Sequence, residues 1–266
     1  MIRGIDAHIH LDMYEKLEAI TILEELSAYK VEAVIAVSRH LLSCKETKSL
    51  RDAYPDRVFA AYGYHPEQEL PSESEASELL VWMKEQASSM IAVGEIGLPY
   101  YLRKEAEEEG KTFDLAPYIL WLDRLLEAAA QWGKPVVLHA VYEDAELVCD
   151  LLGKHGITKA HFHWFKGSPE TVERMIRSGF YVSVTPDILY EEEIQNLVRR
   201  YPMELLMVET DGPWPFEGPF ENQQTHPQMI HEVIQQIAKL HELTIEEAAR
   251  ILVNNTKLFY DIMTVE

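Results

Sequence analysis

The feature that most constrains this chain is an alternation. Eight short, β-rich apolar runs recur between residues 5 and 211: "IDAHIH" (5–10), "EAVIAVS" (32–38), "VFAAYGYH" (58–65), "MIAVGEIG" (90–97), "PVVLHA" (135–140), "AHFHWF" (160–165), "FYVSVT" (180–185) and "LLMVETD" (205–211). Amphipathic helical stretches separate them. One is "SESEASELLVWMKEQASS" (72–89); another covers 114–135, with Asp114 as its predicted N-cap and Gly133 just past its end. Strands that alternate with helices pair in parallel through right-handed crossovers. Eight such units fit an α/β fold of the closed (β/α)8 TIM-barrel type better than an open doubly wound sheet. No GxGxxG follows the first strand to support a dinucleotide-binding fold. A C-terminal extra helix, "TIEEAARILVNNTKLFYDI" (244–262), is expected to pack outside the barrel. No Pro/Gly/Ser-rich linker divides the chain, so residues 1–266 read as a single domain.

Composition narrows the function classes. The net charge is −21, from 45 acidic and 24 basic residues, and no Lys/Arg cluster stands out. Nucleic-acid affinity rests on cations that neutralise phosphates, so this balance argues against tight duplex binding. It leaves room for a small-molecule or nucleotide-type substrate, because a bound cation can reverse the local field. No apolar run approaches the ~18 residues of a membrane span. "MIRGIDAHIH" lacks the apolar h-region of a signal peptide, so a cytoplasmic location without a membrane partner is expected. Cys44 and Cys149 fall in helical segments without metal-ligand spacing; they read as buried free thiols, which suits a reducing compartment.

In a barrel of this kind the chemistry stands at the C-terminal ends of the strands. Strand 1 ends in His8 and His10, strand 3 in His65, strand 4 in Glu95, strand 5 in His139, strand 6 in His163 and strand 8 in Asp211. Residues i and i+2 of a strand project to one side about 6.5–7 Å apart, so the imidazoles of "HIH" can lean onto one cation. A lone strand-end histidine is usually an ordinary hydrogen-bonded polar residue. A set spread one or two per strand along a single rim is hard to explain that way. Imidazole mixed with carboxylate suits Zn, Mn, Fe or Ni; bare carboxylates would suit Mg or Ca better. Four histidines and two carboxylates exceed the needs of one tetrahedral ion with an open position, and match two ions that share a carboxylate. His161 and His163 form a second His-x-His. His163 is preferred as the ligand because it is nearer the strand end, leaving His161 as a core or orienting histidine. His40 reads as a helix-start residue, and Asp6 as a buried group able to orient a ligand imidazole.

Together, "IDAHIH", "YGYHP", "VGEIGL", "PVVLHA", "HWFKGS", "VETDGPW" and "NNTKLF" resemble the TatD-like metal-dependent hydrolases, a branch of the amidohydrolase superfamily, over almost the whole chain. PHP-type phosphoesterases also open with His-x-His, but "GEIGL" and "HWFKGS" fit the TatD-like proteins better. The resemblance implies two divalent ions per subunit, of Zn, Mn, Fe, Ni or Mg. His8, His10, Glu95 and Asp211 would hold one ion, and Glu95, His139 and His163 the other, with Glu95 bridging. It also implies attack by a water that the ions acidify, with catalytic roles for Asp211 and Glu95. Asp211 would both ligate and take the proton, and His65 would contact substrate instead of metal. The bond implied is a phosphodiester, as in a deoxyribonuclease.

The departures from the family pattern concern the substrate. Pro99 stands where the family usually has Asp, Ala140 and Val141 follow His139 where it has Ser and Arg, and "NQQTHP" (222–227) replaces an Arg-Asn-x-Pro stretch. Valine has no equivalent of a guanidinium's bidentate grip on phosphate. Aromatic residues are expected at the rim instead: Tyr100, Tyr142, Trp164, Phe165, Trp214, Phe216 and Phe220, with Trp164 and Trp214 as substrate contacts. The Gly/Pro-rich segment 212–224 reads as a pocket-shaping loop. Three readings follow: a phosphodiesterase; a hydrolase of a small carboxylic ester, lactone or amide with the same centre; and a catalytically idle barrel that binds a ligand.

Overall fold

Each of the eight apolar runs becomes a parallel strand. The computed structural model describes residues 3–262. The strands are β1 (Gly4–Ile9), β2 (Val31–Ala36), β3 (Val58–Tyr62), β4 (Ala92–Gly97), β5 (Val136–His139), β6 (Ala160–Phe162), β7 (Tyr181–Val184) and β8 (Leu206–Val208). They pair in sequence order within one eight-stranded sheet, as a barrel requires. Helices α1 (Lys16–Glu25), α2 (Leu41–Ala53) and α3 (Glu73–Glu85) follow the first three strands. Two helices, α4 (Tyr100–Glu108) and α5 (Ala116–Trp132), lie between β4 and β5. Then come α6 (Asp144–His155), α7 (Pro169–Ser178), α8 (Glu192–Arg200), α9 (Ile230–Leu240) and α10 (Ile245–Tyr260). No helix of the described residues is long and apolar enough to cross a membrane.

Local chemistry sets the helix ends. Ser72 and Glu75 form a reciprocal capping box that starts α3, and Thr244 with Glu247 does the same for α10. Gly133 ends α5 in the left-handed region, as predicted. Asp114 differs from the expectation: Leu115 occupies the cap position, and the Asp114 carboxylate accepts only the Ala116 N–H at 3.1 Å. His40 caps α2, its Nδ1 accepting the Ser43 N–H at 3.2 Å. Cys44 and Cys149 are buried and free, and burial pushes their thiols up to about 12 and about 11, which keeps them inert.

Two apolar layers result. The outer one joins strand and helix faces through residues such as Ile9, Val34, Leu138 and Val182. The inner one fills the barrel with Ile5, Ala7, Ile35, Ala61, Val137 and Met207. The C-terminal helix does more than pack outside. Its end brings Phe259 and Tyr260 into the inner layer, where the Tyr260 hydroxyl bonds His161 Nδ1 at 2.7 Å.

Asp6 does not orient an imidazole; it fastens the seam between β8 and β1. Its Oδ1 accepts the backbone N–H of Thr210 at 3.0 Å and of His8 at 3.3 Å, and its Oδ2 accepts the Thr210 hydroxyl. Just beyond, Asp211 N–H donates to His8 C=O at 2.9 Å, and His10 N–H to Gly212 C=O at 2.8 Å. Asp6→Ala strands these donors, and each buried unsatisfied group costs about 1–3 kcal/mol. Urea unfolding should therefore show a loss of at least about 3 kcal/mol for Asp6→Ala, and a smaller one for Asp6→Asn, which keeps an acceptor.

Candidate metal centre

The two strands that carry His8 and Glu95, the first predicted ligands, are both irregular. Between Asp6 and Ile9 of β1, and between Val93 and Ile96 of β4, the pairing with the next strand skips one residue. Such bulges re-aim side chains beside active sites. In β1 the result is that Ala7 joins the inner layer while the next residue, His8, reaches Glu95. Gly97 ends β4 where a Cβ would lie 1.8 Å from the His139 carbonyl oxygen, so only glycine permits this approach of β4 to β5.

Glu95 lies at the middle of the cluster, fully buried. Its Oε2 is 3.1 Å from Nε2 of His8 and 3.1 Å from Nε2 of His10. Its Oε1 is 2.8 Å from His163 Nε2, 3.2 Å from His139 Nδ1 and 3.3 Å from His65 Nε2. Asp211 Oδ1 completes the first set, 3.3 Å from His8 Nε2 and 3.5 Å from His10 Nε2. His139 Nδ1 and His163 Nε2 are 3.2 Å apart. All six predicted ligands thus converge, and each oxygen of Glu95 addresses a different set.

The electrostatics are those of a site built for cations. Both oxygens of Glu95, both ring nitrogens of His8 and Oδ1 of Asp211 are buried without a hydrogen bond. Buried polar atoms of native proteins are normally paired, so these point to an ion of the kind that imidazole and carboxylate jointly hold. Burial alone would raise the Glu95 carboxyl, but the imidazoles of His163, His65 and His8 hold it well below the usual range. Burial and His163 oppose charge on His8, yet Glu95 and Asp211 lift its imidazole to about 9.

The remaining predicted residues fall into place unevenly. His65 joins the cluster edge, and its Nδ1 accepts the Glu67 N–H at 3.2 Å, so its proton sits on Nε2 toward Glu95. His161 stays in the core between Ser183 and Tyr260. Trp164 is held with φ 40°, its backbone N–H bonded to Glu209 at 2.8 Å and its indole N–H to Asp187 at 2.6 Å. Its ring lies 5.7 Å from Phe216. Trp214 is half-exposed on the loop after β8. Phe165 is not a rim residue: it is fully buried against Phe162. Phe216 and Phe220 pack with Met229 beneath the rim.

Two carboxylates behind the predicted ligands carried no prediction. Glu209 receives the Ser183 hydroxyl and lies 3.6 Å from His163 Nδ1. Glu67 lies 3.0 Å from His139 Nε2. Glu209 stands two residues before Asp211, the same alternation that links His8 and His10, and that spacing could have singled it out. Nothing local marks Glu67, which follows the "YGYHP" motif.

A parallel eight-stranded barrel with histidines and carboxylates gathered at the C-terminal ends of its strands is the scaffold of a metal-dependent enzyme class, and the chain's relatives identify that class as metal-dependent hydrolases. Within that class the chain belongs to the TatD-related DNase family, whose profile matches residues 5–261. An uncharacterised metal-dependent hydrolase of Haemophilus influenzae is 37% identical, covering 96% of this chain and 98% of its own. The human deoxyribonuclease TATDN3 is 27% identical, covering 96% and 94%. Among solved structures, the TatD homologue YjjV of Escherichia coli K12 superposes with a TM-score of 0.86 at 24% identity, over 98% of this chain and 99% of that one, which speaks for the fold.

Proposed function

We propose that the protein is a dinuclear metal-dependent hydrolase of ester bonds. His8, His10, Glu95 and Asp211 hold one divalent ion; Glu95, His139 and His163 hold the other. The observation that carries this reading is the division of Glu95, with His8 and His10 against one oxygen and His139 and His163 against the other. When bound, the ions supply an acidified water and polarise the scissile bond. The rest of the chemistry belongs to the chain. Burial would raise the Asp211 carboxyl, but His8 and the other imidazoles hold it below its ordinary value, leaving it ionised to accept a proton. Burial lowers the His65 pKa, so the ring stays neutral with its proton on Nε2, which faces Glu95 Oε1 here; with Glu95 engaged by the ions, that N–H would be free to donate to charge developing on the substrate.

The family's deoxyribonuclease description and the name of the human relative favour a phosphodiester. The cations near the rim favour a small one. Arg39 is paired with Asp12, Arg103 with Asp144 and Glu143, and Lys166 with Glu191, so these three cations are already engaged by carboxylates. A second reading, a small carboxylic ester, lactone or amide, draws on Ala140 and Val141, which are apolar and buried beside His139.

The test is elemental analysis followed by a substrate panel of an aryl phosphodiester, a dinucleotide, single-stranded DNA, an aryl ester and a lactone. Two ions per chain and turnover of the small diesters are expected. Turnover of the carboxylic substrates alone would transfer the assignment to the second reading. His8→Ala/His10→Ala should lose one ion; metal content equal to the parent's would overturn the ligand set.

A further inference from the structure

Helix α4 begins without a cap of its own. Pro99 occupies its N-cap position and offers no side-chain acceptor, and none of the helix's residues is buried. Its first N–H groups therefore need an outside partner. The partner is Glu67, carried on the loop after β3. Its Oε1 accepts the Tyr101 N–H at 2.9 Å and its Oε2 accepts the Leu102 N–H at 2.8 Å. The same Oε1 lies 3.0 Å from His139 Nε2, whose opposite nitrogen, Nδ1, faces Glu95 Oε1 at 3.2 Å. One carboxylate thus joins three parts of the rim: the β3 loop, the start of α4 and a histidine of the centre.

This arrangement has a chemical consequence for His139. A neutral imidazole carries one proton, and a metal ligand must offer a lone pair. With Nε2–H donating to Glu67, the proton is kept away from Nδ1, and the ring is fixed with its lone pair toward Glu95. The two helix N–H groups hold the carboxylate in place for that task. The helix they begin brings Tyr100 and Tyr101 to the mouth; the Tyr101 ring lies 5.9 Å from His139, and Tyr100 packs 4.9 Å from Tyr142.

We propose that Glu67 is a positioning residue that couples the His139–His163 ion site to helix α4: it sets the His139 tautomer, and filling that site steadies the aromatic rim. The proposal rests on the dinuclear reading above. Glu67 touches no reacting atom, and its effect passes through His139 on one side and through the α4 backbone on the other.

Two variants separate these sides. Glu67→Ala removes both contacts. Glu67→Gln keeps one acceptor oxygen: at the Oε1 position it still accepts from the Tyr101 N–H and from His139 Nε2–H, while its NH2 faces the Leu102 N–H, which loses its partner. The measurements are calorimetric titration of the metal-free protein with Zn2+ and hydrogen exchange at the Tyr101 and Leu102 amides, with and without Zn2+. In the parent, two ions bind and the second slows exchange at both amides. In Glu67→Ala the second ion is expected to bind about 10–100-fold more weakly, the range typical for loss of such a partner, and less so in Glu67→Gln, with the first unchanged in both. Exchange should quicken at both Tyr101 and Leu102 in Glu67→Ala, and at Leu102 but not at Tyr101 in Glu67→Gln. Parent-like second-ion affinity in Glu67→Ala overturns the proposal. So does a Zn2+ effect on the two amides that survives in Glu67→Ala. A parent that binds only one ion refutes the dinuclear reading itself, which is a different failure.

Discussion

Glu95→Gln is expected to bind at most one divalent ion and to lose at least about 10³-fold in kcat/KM on whichever substrate the panel identifies. That loss corresponds to about 4 kcal/mol, within the several kcal/mol that metal-ion charge stabilisation supplies. The reason lies in the two-sided use of the side chain. Oε2 serves His8 and His10, and Oε1 serves His139 and His163. An amide has a single acceptor oxygen and a donor in place of the other, so it can complete only one of the two sets. It also removes the negative charge that, against burial, raises the His163 imidazole well above its ordinary value. Elemental analysis on the purified variant, beside a thermal melt to establish that it folds, checks the result. Two ions retained in a folded Glu95→Gln protein would remove the bridging role.

Asp211→Asn carries the second large effect. Here kcat should fall by about 10²–10⁴, the usual contribution of a positioned acid or base, while the fold persists. Asp211 sits in the left-handed region with φ 47°, which asparagine tolerates as well as aspartate does. Its backbone N–H remains free to bond His8 C=O, so the seam between β8 and β1 stays closed. The substitution therefore tests the carboxylate and not the loop. A variant with kcat equal to the parent's would take Asp211 out of proton transfer. Loss of the ion at His8 and His10 together with kcat would reduce its role to that of a ligand.

Much of this centre can be read along the chain. His8, His10, Glu95, His139, His163 and Asp211 each stand in the C-terminal part of a β-rich run. A barrel turns that one-dimensional regularity into a common rim. The preference for His163 over His161 follows from the same rule, and the structure separates them accordingly: His163 meets Glu95, while His161 bonds Ser183 and Tyr260 in the core. The rule fails for side chains whose direction depends on a neighbour. Phe165 shares a run with His163 but turns into the outer core beside Phe162, and Asp6 shares a run with His8 but faces the seam. Helix α4 escaped because "KEAEEEGK" looks only like a solvated acidic face, and its capping group lies 34 and 35 residues away, on Glu67.

The sequence by itself determined the strand order, the barrel and the chemical type of the centre, because alternation of strands with helices and the placing of histidine and carboxylate at strand ends are local patterns. Only the tertiary structure decided which way the ligands point and what holds them. The extra residues in β1 and β4 are defined by pairing with β2 and β5, not by their own composition. The contacts of Glu67 with His139 and of Glu209 with His163 join residues 72 and 46 positions apart. Such contacts exist only once the barrel has closed, when a carboxylate displaced from water must take whatever donors the folded chain brings to it.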